Sequence, residues 1–366
     1  MLSSLWKDIE GMAAKLSDEA QMARQALSGN VAVFGSGQHG AAALKYLQAR
    51  GVRVRCLADN NPAIHGRAKY GMMVCAPSEL QTAAPDIVFV ATRHAVLPVC
   101  RQLCGMGLPS ISFDAFYVVE HLEGLRNLRD CLLGDPESRR VLDGILMSML
   151  TGREKFCAEV MEPTHYFCLP QFVNLGTDHF IDAGAYVGDT TEKFIWSNNG
   201  AFASVHAFEP GITQFKALKS RVARLIDEWA LPESKIKCVP AGLGAANGAL
   251  GLSSDPENLI GATFFTFPSP AGAERVAVYS LDDYLNGAPA TFIKADVEGM
   301  EMDLLKGAAR TIAGLKPKLA ISIYHENDHL FSIAEYIKAL APDYRMAIRH
   351  HSPLLMDTVL YCWIDG

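Results

Sequence analysis

The sequence predicts an α/β protein made of two parallel-sheet domains joined by a helical connector. Three observations predict it. Short β-branched runs alternate with helical stretches through about residue 115, and again from residue 178, as βαβ units do. The stretch between them keeps a helical period with few β-branched runs. At 366 residues and 49% hydrophobic, the chain can build more than one core.

Residues 1–28 read as one or two helices, because Leu2, Leu5, Ile9 and Met12 recur at helical spacing and Leu16, Ala20 and Ala23 follow suit. VAVFGSGQHG is a strand running into glycines, AAALKYLQAR a helix and VRVRCLADNN a second strand. Gly35, Gly37 and Gly40 form a G-x-G-x-x-G between strand and helix, and Asp59 ends the next strand 19 residues after Gly40. That context makes residues 29–116 a Rossmann-like domain with a second nucleotide-type loop. DIVFVAT is a further strand, backed by the helix PVCRQLCGMG. Residues 117–172 are the helical connector, with GDPES at 134–138 as a turn between two of its helices.

Residues 173–366 resume the alternation. HFIDAGA, ASVHAFEP, KIKCVPAGLG, ATFIKADVEG and KLAISIYH read as strands, and helices follow most of them. RVAVYSLDDYL is strand then helix, and YRMAIRHH and TVLYCWI are closing strands. The segment 252–275, including PENLIGATFFTFPSPAG, reads as a covering loop rich in Gly, Pro and Phe.

Composition narrows the function. A net charge of −7 with scattered Lys and Arg argues against a nucleic-acid partner. Nine cysteines without a C-x-x-C or a zinc spacing read as small core hydrophobes in a reducing compartment. The N-terminus lacks the basic start and apolar core of a signal peptide, and no apolar run approaches the ~18–20 residues of a membrane span. The expectation is a cytoplasmic protein without stable membrane insertion, acting on a small-molecule or glycan acceptor, with a homodimer as one possible assembly.

The chemistry concentrates in FIDAGAYVGDTTEKF, residues 180–194. Asp182 stands at a strand end, where open α/β sheets bind ligands. Gly184 and Gly188 let the chain turn and approach a ligand without a Cβ. Asp189, Thr190 and Thr191 open the following helix. Glu209 ends the next strand, 21 residues after Gly188, and suits two ribose hydroxyls. Two acids also suit a ligand carrying an ammonium and a sulfonium, with no pyrophosphate to repel.

FIDAGAYVGDTT, VHAFEP, SLDDYL, IKADVEGMEMDLLKGA and ISIYH occur in that order. Together they resemble the FkbM family of S-adenosylmethionine (SAM)-dependent methyltransferases over roughly residues 178–366. The resemblance implies the class I methyltransferase sandwich, a seven-stranded, mostly parallel sheet with an antiparallel last strand. It implies SAM as cofactor and O-methylation of hydroxyls on sugars and natural products. By this similarity Asp182, Gly184, Ala185, Tyr186, Gly188, Asp189 and Thr190 line the methionine and ribose side, and Glu209 holds the ribose. Many class I enzymes bind the adenine amino group with an acid or amide after the third strand. VPAGLGAAN offers no carboxylate there, only the backbone of Gly242 and Leu243.

A hydroxyl acceptor benefits from a general base. Asp296 and Glu298 at the end of ATFIKADVEG, and His325 at the end of KLAISIYH, are the candidate base or acceptor-orienting groups. Lys294 is a weaker candidate that would face Asp296. Two bland readings stand beside these: Glu298–Gly299 as the cap of a helix over Met300–Ala309, and His325 as a structural histidine. A divalent metal is not expected, since the ligand set is not distinctive. For the N-terminal domain the similarity to domains attached to sugar-modifying transferases implies a nucleotide or nucleotide-sugar ligand. The rival functions are a nucleotide-sugar or NAD(P)-dependent enzyme centred on that domain, and a non-catalytic SAM-binding protein.

Overall fold

The computed structural model describes residues 2–173, 176–255, 258–265 and 274–365. The chain forms two compact units. Unit 1 comprises Met1–Met161, Tyr324–Phe331 and Ser352–Asp357, and unit 2 comprises Glu162–Ile323, Ser332–His351 and Thr358–Gly366.

Unit 1 opens with one continuous helix, Leu2–Ala26, which buries Ile9, Ala13, Ala20 and Ala23 along one stripe. Its strands are β1 Val31–Phe34, β2 Val54–Ala58, β3 Ala68–Lys69, β4 Met72–Cys75, β5 Ile87–Val90 and β6 Ser110–Ser112, in the order β3-β4-β2-β1-β5-β6. All neighbours pair in parallel except β3 with β4. VAVF and IVFV are buried at every position, as central strands covered on both faces must be. Helices Gln38–Ala49, Pro77–Ala83 and Val96–Gly105 complete the βαβ units.

The helical stretch expected at 117–172 divides between the units. Helix Pro136–Thr151 belongs to unit 1. The Asp135 carboxylate accepts the Ser138 N–H at its start, Pro136 takes the first turn, and Gly152 ends it in the left-handed region. Tyr166, Phe167 and Phe172 instead lie in the aromatic core of unit 2, with Phe180, Phe194 and Phe292.

Unit 2 contains β7 His179–Ala183, β8 Ser204–Phe208, β9 Ile236–Val239, β10 Ala241–Leu243, β11 Gly248–Asp255, β12 Asn258–Phe265, β13 Glu274–Tyr279, β14 Phe292–Ala295, β15 Lys318–Ser322, β16 Arg345–His350 and β17 Thr358–Trp363. Seven of them form a sheet in the order β16-β17-β15-β14-β7-β8-β9. β17 lies antiparallel between β15 and β16, and the pairs β15/β14, β14/β7, β7/β8 and β8/β9 are parallel. The strand order reverses beside β7, so the loop after β7 occupies the crevice where such sheets bind ligands.

The covering loop expected at 252–275 is corrected in part. β11 and β12 pair antiparallel in a second sheet, β10-β13-β11-β12. The remainder of that expectation, 256–257 and 266–273, lies outside the described residues. Gly242 and Leu243, whose backbone was expected beside the adenine, form β10 and pair with Val278 and Tyr279 of β13. No helix among the described residues is long and apolar enough to cross a membrane.

Candidate active site

The site in unit 2 starts from three glycines in the two turns at the carboxyl ends of β7 and β14. Gly184 has φ +74°, and a Cβ there would lie 1.9 Å from the Asp296 carbonyl oxygen. Gly188 has φ +85°, and its Cβ would meet Leu218 at 2.9 Å. Gly184 admits no other residue without backbone movement, and the left-handed φ of Gly188 strains any side chain placed there. Tyr186, between them, also has positive φ and is 37% exposed, so its ring stands out of the loop. Gly299 follows Glu298 in the turn after β14, with φ +94° and +55° respectively. A side-chain residue held in that region marks a strained position.

Asp182 is wholly buried. Its Oδ2 accepts the Thr191 hydroxyl at 2.7 Å, and its Oδ1 lies 3.1 Å from Lys294 Nζ. Lys294 is 1% exposed and also donates to the Gly184 carbonyl at 2.7 Å and the Ala183 carbonyl at 3.2 Å. Burial alone would lower the ammonium's pKa, but the carboxylates of Asp182 and Asp296 outweigh it and hold it above its ordinary value. Lys294, expected to pair with Asp296, therefore pairs with Asp182 and pins the glycine loop. β14 and β7 are adjacent in register, Lys294 opposite Asp182, which places both side chains on one face.

Glu209 ties the loop to the next strand. Its Oε2 accepts the Tyr186 N–H at 2.9 Å and its Oε1 the Gly211 N–H at 2.8 Å. Burial, the largest influence, pushes this carboxyl up to about 7 against the lowering effect of the two N–H donors. Ala185 is buried and its N–H bonds the Phe208 carbonyl at 2.8 Å. The helix Asp189–Ser197 begins after Gly188 without a side-chain cap. Thr191, expected to help cap it, bonds Asp182 instead, and Thr190 is buried.

Asp296 follows β14 directly and is half-buried, and its Oδ2 accepts the Tyr166 hydroxyl at 2.8 Å. Glu298 is half-buried. The helix expected over Met300–Ala309 is two short helices, Glu301–Gly307 and Ala309–Leu315. Its start is bonded by Glu301, whose buried carboxylate accepts the Val297 N–H at 2.9 Å. His325 comes three residues after β15, in the segment that belongs to unit 1. Sequence reading missed Tyr166 and Glu301 and ranked Lys294 too low. Glu301 carried a signal, a carboxylate in the first turn of a helix. Tyr166 carried none, because HYFCLPQF reads as the tail of a helical stretch.

In unit 1, Gly35 has φ +111° and its Cβ would meet the Ala91 carbonyl at 2.4 Å, while a Cβ on Gly40 would lie 2.0 Å from the Gly35 carbonyl. Gly37 has open space around its Cβ position and stands before helix Gln38–Ala49 without a side-chain cap. These are the three separate uses of glycine in a nucleotide-binding turn. Asp59 Oδ2 accepts both the N–H and the hydroxyl of Ser36 at 2.8 Å, and Oδ1 accepts the Asn61 N–H at 2.9 Å. Burial opposes its charge, but these donors hold the carboxyl below its ordinary range.

Residues 182–350 match the Methyltransferase FkbM domain. Among solved structures, the chain is similar to a methyltransferase FkbM from Methylobacillus flagellatus KT, at 24% identity over 99% of this chain and 100% of that one, with a TM-score of 0.61. An rRNA methylase from Streptococcus thermophilus is 17% identical over 61% of this chain and 97% of its own, with a TM-score of 0.31. A precorrin-6y C5,15-methyltransferase from Geobacter metallireducens GS-15 is 11% identical over 52% and 83%, with a TM-score of 0.29. No curated protein sequence matches the chain. The strand order of the seven-stranded sheet and the glycine turn after β7 agree with the match of residues 182–350 to the FkbM methyltransferase domain.

Proposed function

We propose that the chain transfers a methyl group from SAM to a hydroxyl of a saccharide or sugar-linked acceptor. One observation carries the reading. The glycine turn that would hold the cofactor and the strand end that carries Asp296 abut, since a single Cβ on Gly184 would strike the Asp296 carbonyl. Cofactor loop and candidate base are therefore one rigid piece, as an in-line transfer between two aligned reactants requires.

The residues fit SAM on chemistry. Gly184 and Gly188 let the turn close against Asp296 and Leu218, where a Cβ would clash. Both Glu209 oxygens accept backbone N–H groups and retain lone pairs for ribose hydroxyls. Asp189 at the first helical position adds negative charge suited to a cation. When bound, SAM supplies a methyl carbon already activated by its sulfonium. Asp296 would take the acceptor's hydroxyl proton as that oxygen displaces S-adenosylhomocysteine from the methyl carbon, and Glu298 would orient the acceptor.

Calorimetry with SAM and S-adenosylhomocysteine, followed by transfer of labelled methyl to a panel of glycosides, phenols and amines, tests this. Asp296→Asn is expected to bind SAM like the wild type and to lose about 10²–10⁴-fold in turnover. Preferred methylation of amines would sink the hydroxyl reading. SAM binding with no transfer to any acceptor would favour a non-catalytic SAM-binding protein.

The open position at Gly37, before an uncapped helix, supports a second ligand in unit 1, a nucleotide or nucleotide-sugar. Thermal shifts with UDP-sugars and NAD(P) that vanish in Gly37→Asp are the expected result. Identical shifts in both proteins would end that reading.

A further inference from the structure

We propose that Tyr166 is a positioning residue for Asp296, holding the carboxylate in its charged form and in one orientation. The proposal rests on the reading of Asp296 as the group that takes the acceptor's proton. Tyr166 precedes the span that matches the FkbM domain, so the match assigns it nothing.

The hydroxyl of Tyr166 donates to Asp296 Oδ2 at 2.8 Å, a bond between a neutral donor and an ionised acceptor. The tyrosine itself is fixed from several sides. Its side chain is buried, and its ring stacks on His165 with centroids 3.7 Å apart and planes at 17°. Its N–H donates to the Tyr361 hydroxyl oxygen at 3.1 Å. Lys294 Nζ stands 5.3 Å from its ring centroid, within reach of the π face.

The direction of these bonds follows from one carbonyl. His351 Nδ1 lies 2.7 Å from the Glu162 carbonyl, which can only accept, so Nδ1 carries the proton. Burial lowers the His351 pKa, so the ring is neutral and Nε2 is an acceptor. The Tyr361 hydroxyl, 2.8 Å from Nε2, therefore donates to it and presents a lone pair to the Tyr166 N–H. Every step of the chain from Glu162 to Tyr166 is thereby fixed in direction.

The backbone supports a functional reading. Tyr166 has φ +67°, a conformation that a bulky residue adopts at an energetic cost. A buried hydroxyl requires a partner, and any nearby carbonyl would satisfy it. The closer partner here is the carboxylate at the end of β14, beside the glycine turn, with the Ser322 hydroxyl farther off at 3.4 Å.

The test reads Asp296 directly and needs no acceptor. Protein labelled with 13C at aspartate carboxyls gives the Asp296 signal by its loss in Asp296→Asn. In Tyr166→Phe the Asp296 titration is expected to move up by about one pH unit, because a donor to the charged form is lost. Tyr361→Phe should move it less and in the same direction. Incorporation of 3-fluorotyrosine, a more acidic phenol, should move it down in the otherwise unaltered chain, which keeps the test available if Tyr166→Phe fails to fold. An Asp296 titration unmoved by the phenylalanine variant, or by fluorotyrosine, overturns the proposal. Calorimetry with SAM on the wild-type protein separates the outcomes: failure to bind SAM ends the methyltransferase reading, while the carboxyl titration still decides the role of Tyr166.

Discussion

Replacing Lys294 by Met should unhinge the cofactor loop. The substitution keeps the aliphatic stem and removes the ammonium. Three bonds go with it, to Asp182 and to the carbonyls of Ala183 and Gly184. What remains is a carboxylate with no solvent exposure and one hydroxyl donor, Thr191. Breaking a buried ion pair from one side costs about 3–5 kcal/mol, because the remaining charge is left uncompensated. For a unit of this size that is roughly 6–20 °C of melting temperature, at about 2–4 °C per kcal/mol. Differential scanning calorimetry on the wild type, Lys294→Met, Asp182→Asn and the double variant closes a mutant cycle. The double variant should recover most of the loss, since it removes the stranded charge as well. A Lys294→Met protein that melts within about 2 °C of the wild type would refute the claim that this pair pins the loop.

Glu209 predicts a pH dependence. Its carboxyl titrates at about 7 in the folded protein, well above its ordinary value, so it is mostly protonated at pH 6 and mostly ionised at pH 8. If ribose hydroxyls bind the anion, SAM affinity should rise about tenfold over that window, and a dissociation constant flat from pH 6 to 8 would contradict it. The sign for stability is opposite. A raised folded-state pKa means that the Glu209 contribution to the stability of the ligand-free protein is fully present below about 4.5 and is lost, by about 3 kcal/mol, as pH rises through 7. The glycines separate shape from binding. Gly184→Ala should destabilise unit 2 and abolish SAM binding, because its Cβ would overlap the Asp296 carbonyl. Gly37→Ala should leave stability within about 0.5 kcal/mol of the wild type, since its Cβ meets nothing within 4 Å. Chemical denaturation of the two variants checks both statements.

How far the sequence could be read follows from which forces are local. The strands VAVF, IVFV and HFIDA were legible because buried parallel strands are short unbroken apolar runs, and glycines mark where they turn. Glu209 and Asp182 were legible because each closes such a run. The pairing of Lys294 with Asp182 was not, because it depends on β14 lying beside β7 in register, a relation between residues far apart in sequence. Tyr166 was hidden for the same reason: its partners Asp296 and Tyr361 are 130 and 195 residues away. The hairpin of β11 and β12 was misread as a loop because glycine and proline there outweighed the β-branched and aromatic residues between them.

The two glycine loops share one device and differ in a way that selects their ligands. Asp59 accepts a loop N–H from Ser36 and the N–H two residues on, from Asn61. Glu209 accepts a loop N–H from Tyr186 and the N–H two residues on, from Gly211. Each acid braces its turn in the same manner. The helices that follow do not match: Gln38 opens one and Asp189 the other, and neither has a side-chain cap. An uncapped helix start without an acid favours an anion, and one with Asp189 offsets that preference. The unit 2 loop is therefore tuned away from phosphate and toward a cation. Asp189→Asn should weaken SAM binding by about 0.3–1 kcal/mol, or about two- to fivefold, at low salt. S-adenosylhomocysteine lacks the sulfonium charge, so its affinity should change less. Equal losses for the two ligands in calorimetry would show that Asp189 acts on the loop's shape and not through its charge.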